Sequence, residues 1–111
     1  MKRVKKYGEE DKLLQIFSNA LIIAEGIDKV LGITLTQIRG KDRHRRVALA
    51  RTLFCTLLSD IHPSDLGIII CRDRVTVLHH IQSGQDRLEA DREFINAHKM
   101  VLNYYKQCGV S

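Results

Sequence analysis

The chain has 111 residues, enough for one hydrophobic core and too few for a second independently folding one. Apolar residues make up 44% and charged residues 28%, while an aromatic share of 5% with no Trp argues against a reader of single strands by base stacking. One Pro and seven Gly argue against an all-β chain, and 18 basic against 13 acidic residues give a net charge of +5, compatible with a polyanionic partner.

The opening Met1-Lys2-Arg3-Val4-Lys5-Lys6 is basic, and the run Lys2 to Lys6 reads as a tail. No apolar stretch long enough for a secretion signal or a membrane span follows it, so a cytoplasmic chain is expected. From Asp11 to Leu31, the residues Leu13, Phe17, Ala20, Ala24, Ile27 and Leu31 recur at helical spacing and predict one buried face. Glu9, Glu10 and Asp11 suit the start of that helix, and Gly32 suits its end. Gly26 weakens its middle, which leaves one bent helix or two helices open. Residues 1–20 then form a basic tail and helical extension, and 21–107 a helical core, within a single domain 1–111.

Thr34 suits the cap of a short helical turn. The segment Arg39 to Arg46 is almost wholly polar. A strong helix follows, with Val47, Ala50, Leu53, Phe54, Leu57, Leu58 and Ile61 on one face and Pro63 as its stop. Pro63 also suits the first position of the next helix, which is expected over Ser64 to Cys71. Asp73 is a candidate N-cap, and Val77, Leu78, Ile81 and Leu88 are expected to point inward from the helix it opens. Asp91 suits the cap of a last helix whose face holds Phe94 or Ile95, His98, Val101 or Leu102, and Tyr105. The expected fold is all-α, a compact bundle of five to six helices.

Between Arg39 and Arg51 lie six basic residues and one acid, so the net charge of the whole chain resides in that segment. Neighbouring cations neutralise adjacent phosphates and release condensed counterions. Arginine, which dominates here, forms paired bonds to phosphate or guanine. Cations at a helix N-terminus also oppose the helix dipole, an arrangement that an ordinary solvated loop does not need. The three cysteines, Cys55, Cys71 and Cys108, are expected as reduced thiols. Cys71, His79 and His80 lack a fourth ligand and the usual spacing for zinc. No metal, cofactor or catalytic group is expected.

The stretch Cys71-Arg72-Asp73-Arg74-Val75-Thr76-Val77-Leu78-His79 resembles the signature G-R-D-H-T-T-V-L-H of the C-terminal DNA-binding domain of the bacterial chromosomal replication initiator DnaA. The basic segment from Lys41 to Arg51 is similar in place to that family's basic loop, and Gly32-Ile33-Thr34 with Leu35 to Ile38 is similar to the segment before it. The resemblance spans roughly residues 20 to 105. It implies a helix-turn-helix of the Trp-repressor kind, with a recognition helix in the major groove of double-stranded DNA. It also implies a role in replication initiation or its regulation, close to the nucleoid.

Carried over residue by residue, Asp73, Arg74, Val75 and Thr76 take the base-reading positions, preceded by Arg72. Asp73 reads cytosine or only caps its helix, and Thr76 meets a phosphate or its own helix. His79 takes a packing role in the helix body. Arg43 matches the arginine that enters the minor groove, alongside Lys41, Arg45 and Arg46. Arg51 and Thr52 match an Arg-Gln pair, and Ser64 with Pro63 falls where a backbone N–H meets a phosphate. Arg74 stands where the family has His and implies guanine; Val75 stands where it has Thr and implies a thymine methyl. Ile70-Cys71 replaces a Gly-Gly pair, and the segment before Asp73 is about four residues shorter than the family's. ATP hydrolysis and origin melting are not implied, because no phosphate loop is present. The competing expectations are a protein-interaction module, with the N-terminal helix as the partner face, and nonspecific nucleic-acid binding through the basic loop alone.

Overall fold

The helical spacing in the sequence is realised as six helices in the computed structural model, which describes residues 2–108 and the side chains from residue 15 onward. They are α1 (Lys2–Leu31), α2 (Leu35–Arg39), α3 (Arg45–Leu57), α4 (Pro63–Ile70), α5 (Arg74–Ala90) and α6 (Arg92–Gln107). No strand occurs among the described residues, so the protein is an all-α bundle.

α1 is one continuous helix. It takes in Lys2 to Lys6, expected as a tail, and it encloses Glu9, Glu10 and Asp11, expected at its start. Gly26 does not divide it. A Cβ there would lie 3.0 Å from Tyr104 Cδ2 and 3.1 Å from Val101 Cγ1, so the missing side chain is what lets α6 approach. Gly32 ends the helix at φ +73°, its N–H donating to the Asp28 carbonyl, and Ile33 folds back into the core. Ala20, Ala24, Ile27 and Leu31 are buried as expected. Phe17 is not: it is 47% exposed, because Ile16, a step of about 100° away on the helix, continues the buried stripe in its place. The Leu13 side chain lies outside the described residues.

Thr34 caps α2 with a full capping box, its hydroxyl accepting from the Gln37 N–H while the Gln37 side chain accepts from the Thr34 N–H. α3 is the central helix. It ends at Leu57, before Pro63 has any influence; Ile61 is buried from the following loop rather than from the helix. Pro63 opens α4 at its first position. Each helix contributes to a single core, through Ile27, Ile38, Phe54, Ile70, Val77 and Phe94, all fully buried. α3 and α5 meet at backbone distance. A methyl on Gly84 would fall on Thr56 Oγ1 and lie 2.9 Å from Thr56 Cβ, while that hydroxyl donates to the Thr52 carbonyl at 2.7 Å. Cys55 lies in the same helix, and burial pushes its thiol up to about 12, so it stays protonated. Among the described residues no helix is long and apolar enough to cross a membrane.

Candidate nucleic-acid interface

α4 and α5 are joined by three residues, Cys71, Arg72 and Asp73, the connectivity of a helix-turn-helix. The turn closes in two steps. Cys71 adopts the left-handed conformation at φ 58°, ψ 44°, the geometry glycine usually supplies after a helix. The Arg72 N–H then returns to the Gly67 carbonyl at 2.9 Å, and a Cβ on Gly67 would stand 2.5 Å from the Arg72 carbonyl oxygen. Only a residue without a side chain lets the turn lie so flat on α4. Asp73 starts the next helix: its carboxylate accepts from the Thr76 N–H at 2.7 Å, which holds the acid below the usual carboxylate range. Arg74 and Val75 follow and face solvent.

The basic loop between α2 and α3 is built around Arg51. This side chain is only 5% exposed. Its Nε donates to the Ile38 carbonyl at 2.8 Å, and one terminal nitrogen reaches the carbonyls of Gln37, Gly40 and Asp42 at 3.2, 3.1 and 2.8 Å. Two hydrogens are shared among those three acceptors. The guanidinium therefore closes the C-terminal end of α2 and fixes the path of the loop. Burial, then the nearby Arg72, lowers the Arg51 pKa from its ordinary value.

Arg72 joins the loop to the turn. One of its terminal nitrogens donates to the Gly40 carbonyl, and the other to Cys71 at 3.0 Å and, at longer range, to Arg39. The Gly40 carbonyl thus accepts from both Arg51 and Arg72. The loop and the turn that starts α5 are therefore tied together.

Lys41, Arg43 and Arg45 of the loop are exposed, and so is Arg74 at the start of α5. Arg46 is exposed too, with its Nε on the Leu31 carbonyl at 2.8 Å, where it caps α1. Among the described residues the one salt bridge joins Arg87 and Asp91, so no loop cation there is neutralised by an ion pair. Glu93 stands across a shallow hollow from His44, Arg45 and Arg46 without pairing with them.

Several expected contacts change role. Arg51 and Thr52 do not reach the surface. Arg51 holds carbonyls, and Thr52 is buried against α5, sharing a 3.0 Å hydrogen bond with His80 Nδ1. Ser64 is exposed, but its N–H already donates to His62 Nδ1 at 3.1 Å, and the N–H groups of Asp65 and Leu66 donate to the His62 carbonyl. The N-terminus of α4 thus has its first donors committed. Thr76 is half-buried beside the cap it completes, and Val77, Ile81 and Leu88 turn inward. Leu78 and His79, expected inside, face solvent. His80 takes the packing place instead, and burial, aided by Arg51, His79 and Arg72, lowers its pKa.

Three structural residues were not singled out by the sequence pattern. His44 and His62 each cap a helix with Nδ1, accepting from Arg46 and Ser64. Histidine ranks outside the usual capping residues, so the signal is weak. Gly67 did carry a signal, a glycine in a helix otherwise rich in isoleucine. No group of three metal-binding side chains gathers among the described residues. No known protein family matches the sequence, and no characterised protein is found as its relative.

Proposed function

We propose that the chain is a DNA-binding module similar to the C-terminal domain of DnaA, which reads duplex DNA with the start of α5 in the major groove and the Arg43 loop in the adjacent minor groove. The observation that carries this reading is the shared Gly40 carbonyl. It holds the loop and the turn together, and Lys41, Arg43, Arg45 and Arg74 next to that link are exposed with no ion pair among the described residues. Such a surface suits closely spaced phosphates. Cations gathered at the start of α3 oppose its dipole, a cost that a bound polyanion relieves. Arg74 supplies a bidentate donor for guanine, and the Asp73 cap fixes the helix turn from which it projects. The role is in replication or its regulation, at the nucleoid. The module needs no cofactor and catalyses no reaction.

The test is selection of bound duplexes from a random library at about 150 mM salt, followed by binding of the winner by wild type and variants. An enriched motif is expected. Arg74→Ala relaxes preference at one position by about 1–3 kcal/mol, whereas Arg43→Ala weakens all sequences and lowers the salt slope by about one. Binding without enrichment would reduce the reading to charge alone.

A second reading has its own observation. Phe17 and Leu21 of α1 are 47% and 58% exposed and line an apolar groove with Leu35 and Ile68. Exposed apolar patches of this kind mark protein contacts. If no duplex is bound at any salt concentration, a protein partner on the α1 face becomes the leading function.

A further inference from the structure

The outer face of α5 carries a side chain that the proposed reading leaves without a role. Leu78 is 43% exposed, and Val75, three positions earlier, is 74% exposed. Both project from the same strip of the helix, while Val77 and Ile81 take the core-facing side. Arg74 and His79 flank the pair and are exposed as well. Further along, Gln82 donates to Asp86 at 3.3 Å, and that exposed carboxylate ends the part of the face that suits a polyanion. Two uncovered aliphatic side chains therefore sit beside the exposed Arg74 guanidinium, on a stretch whose acids, Asp73 and Asp86, stand at its two ends.

Neither Val nor Leu has a donor or acceptor, and the one apolar group on the major-groove edge of DNA is the thymine C5-methyl. Three residues advance about 4.5 Å along a helix, close to the base-pair rise of about 3.4 Å. We infer that Val75 and Leu78 together read the methyl groups of thymines at two neighbouring base pairs, next to the pair met by Arg74. The inference rests on the DNA-binding reading and makes Leu78 a specificity residue.

The test replaces thymines of the selected duplex singly with deoxyuridine, which removes the methyl and leaves base pairing intact. Wild type is expected to lose about fourfold in affinity at each of two neighbouring positions. Leu78→Ala becomes insensitive at one of them and Val75→Ala at the other. Both side chains are exposed, so both variants should melt as wild type does. Wild-type affinity that shifts less than about twofold at every uridine overturns the inference and leaves DNA binding standing, as does a Leu78→Ala variant with the wild-type uridine profile. Failure of any duplex to be enriched overturns the DNA-binding reading, and this inference with it.

Discussion

Arg51 and Arg43 belong to the same basic segment and do opposite work. Arg51 turns into the protein and gives its donors to backbone carbonyls. Arg43 stays in solvent with its charge unpaired among the described residues. Arg72 stands between them, half-buried, one hand on the loop and the other on the turn. The difference teaches that the positive surface is assembled by its own inward arginines. They use their planar forks to set the backbone, and the outward cations inherit their positions from it.

The contrast is sharpest in stability. Arg51→Ala should cost about 3 kcal/mol, since it strands the Ile38 and Asp42 carbonyls, which accept from the guanidinium alone. Arg51→Lys, which keeps the charge but not the fork, should recover only part of that. Arg43→Ala should change stability by less than about 0.5 kcal/mol while weakening duplex binding. Urea unfolding of the three variants checks the ranking; equal stabilities would erase the distinction between building and binding arginines.

The seam that holds α5 against α3 should be nearly as sensitive. Gly84→Ala is expected to lose about 2–3 kcal/mol through overpacking on Thr56. In a Thr56→Ala background the same change should cost less, because the two share one contact. Thermal melts of the four proteins give the coupling.

Acid should loosen the bundle by a smaller amount. His80 and His98 both have pKa values lowered by burial from the ordinary 6.5. The unfolded chain therefore binds protons that the folded one refuses. Their contribution to stability is complete above about pH 6.5 and is lost as pH falls below it. Unfolding at pH 7, 6 and 5 should show that decline, and His80→Gln should flatten it; an unchanged slope would remove His80 as its source.

The smallest expected effect has the opposite sign. Cys71→Gly relieves a left-handed residue at φ 58° and should stabilise by about 0.5–1 kcal/mol. Duplex binding should be unaffected, because Cys71 sets only the turn.

The helices were legible in the sequence because apolar spacing and capping residues agreed. Thr34, Asp73 and Asp91 cap the helices they were expected to cap. Pro63 opens α4 as expected, although α3 ends earlier than its apolar pattern implied. Leu57 and Leu58 are followed by a loop that keeps Ile61 in the core, and periodicity does not distinguish a buried loop residue from a helical one. The inward turn of Arg51 did have a signal: it stands four residues after Val47 and four before Cys55, both buried. Its chemistry masked its helical phase. The exchange of roles between His79 and His80 is a rotation by one residue, about 100° on a helix, and only the packing of α5 on α3 decides it. The link from Arg72 to Gly40 joins residues 32 positions apart, and no local pattern reports such a contact.

The most direct test of the joined surface is chemical protection of the selected duplex, reading guanine N7 in the major groove and adenine N3 in the minor groove. Wild type should protect both within about one turn of DNA. Arg74→Ala should lose the major-groove protection alone, and Arg43→Ala the minor-groove protection alone. A duplex on which neither groove is protected, or on which both variants leave the pattern intact, would contradict the account.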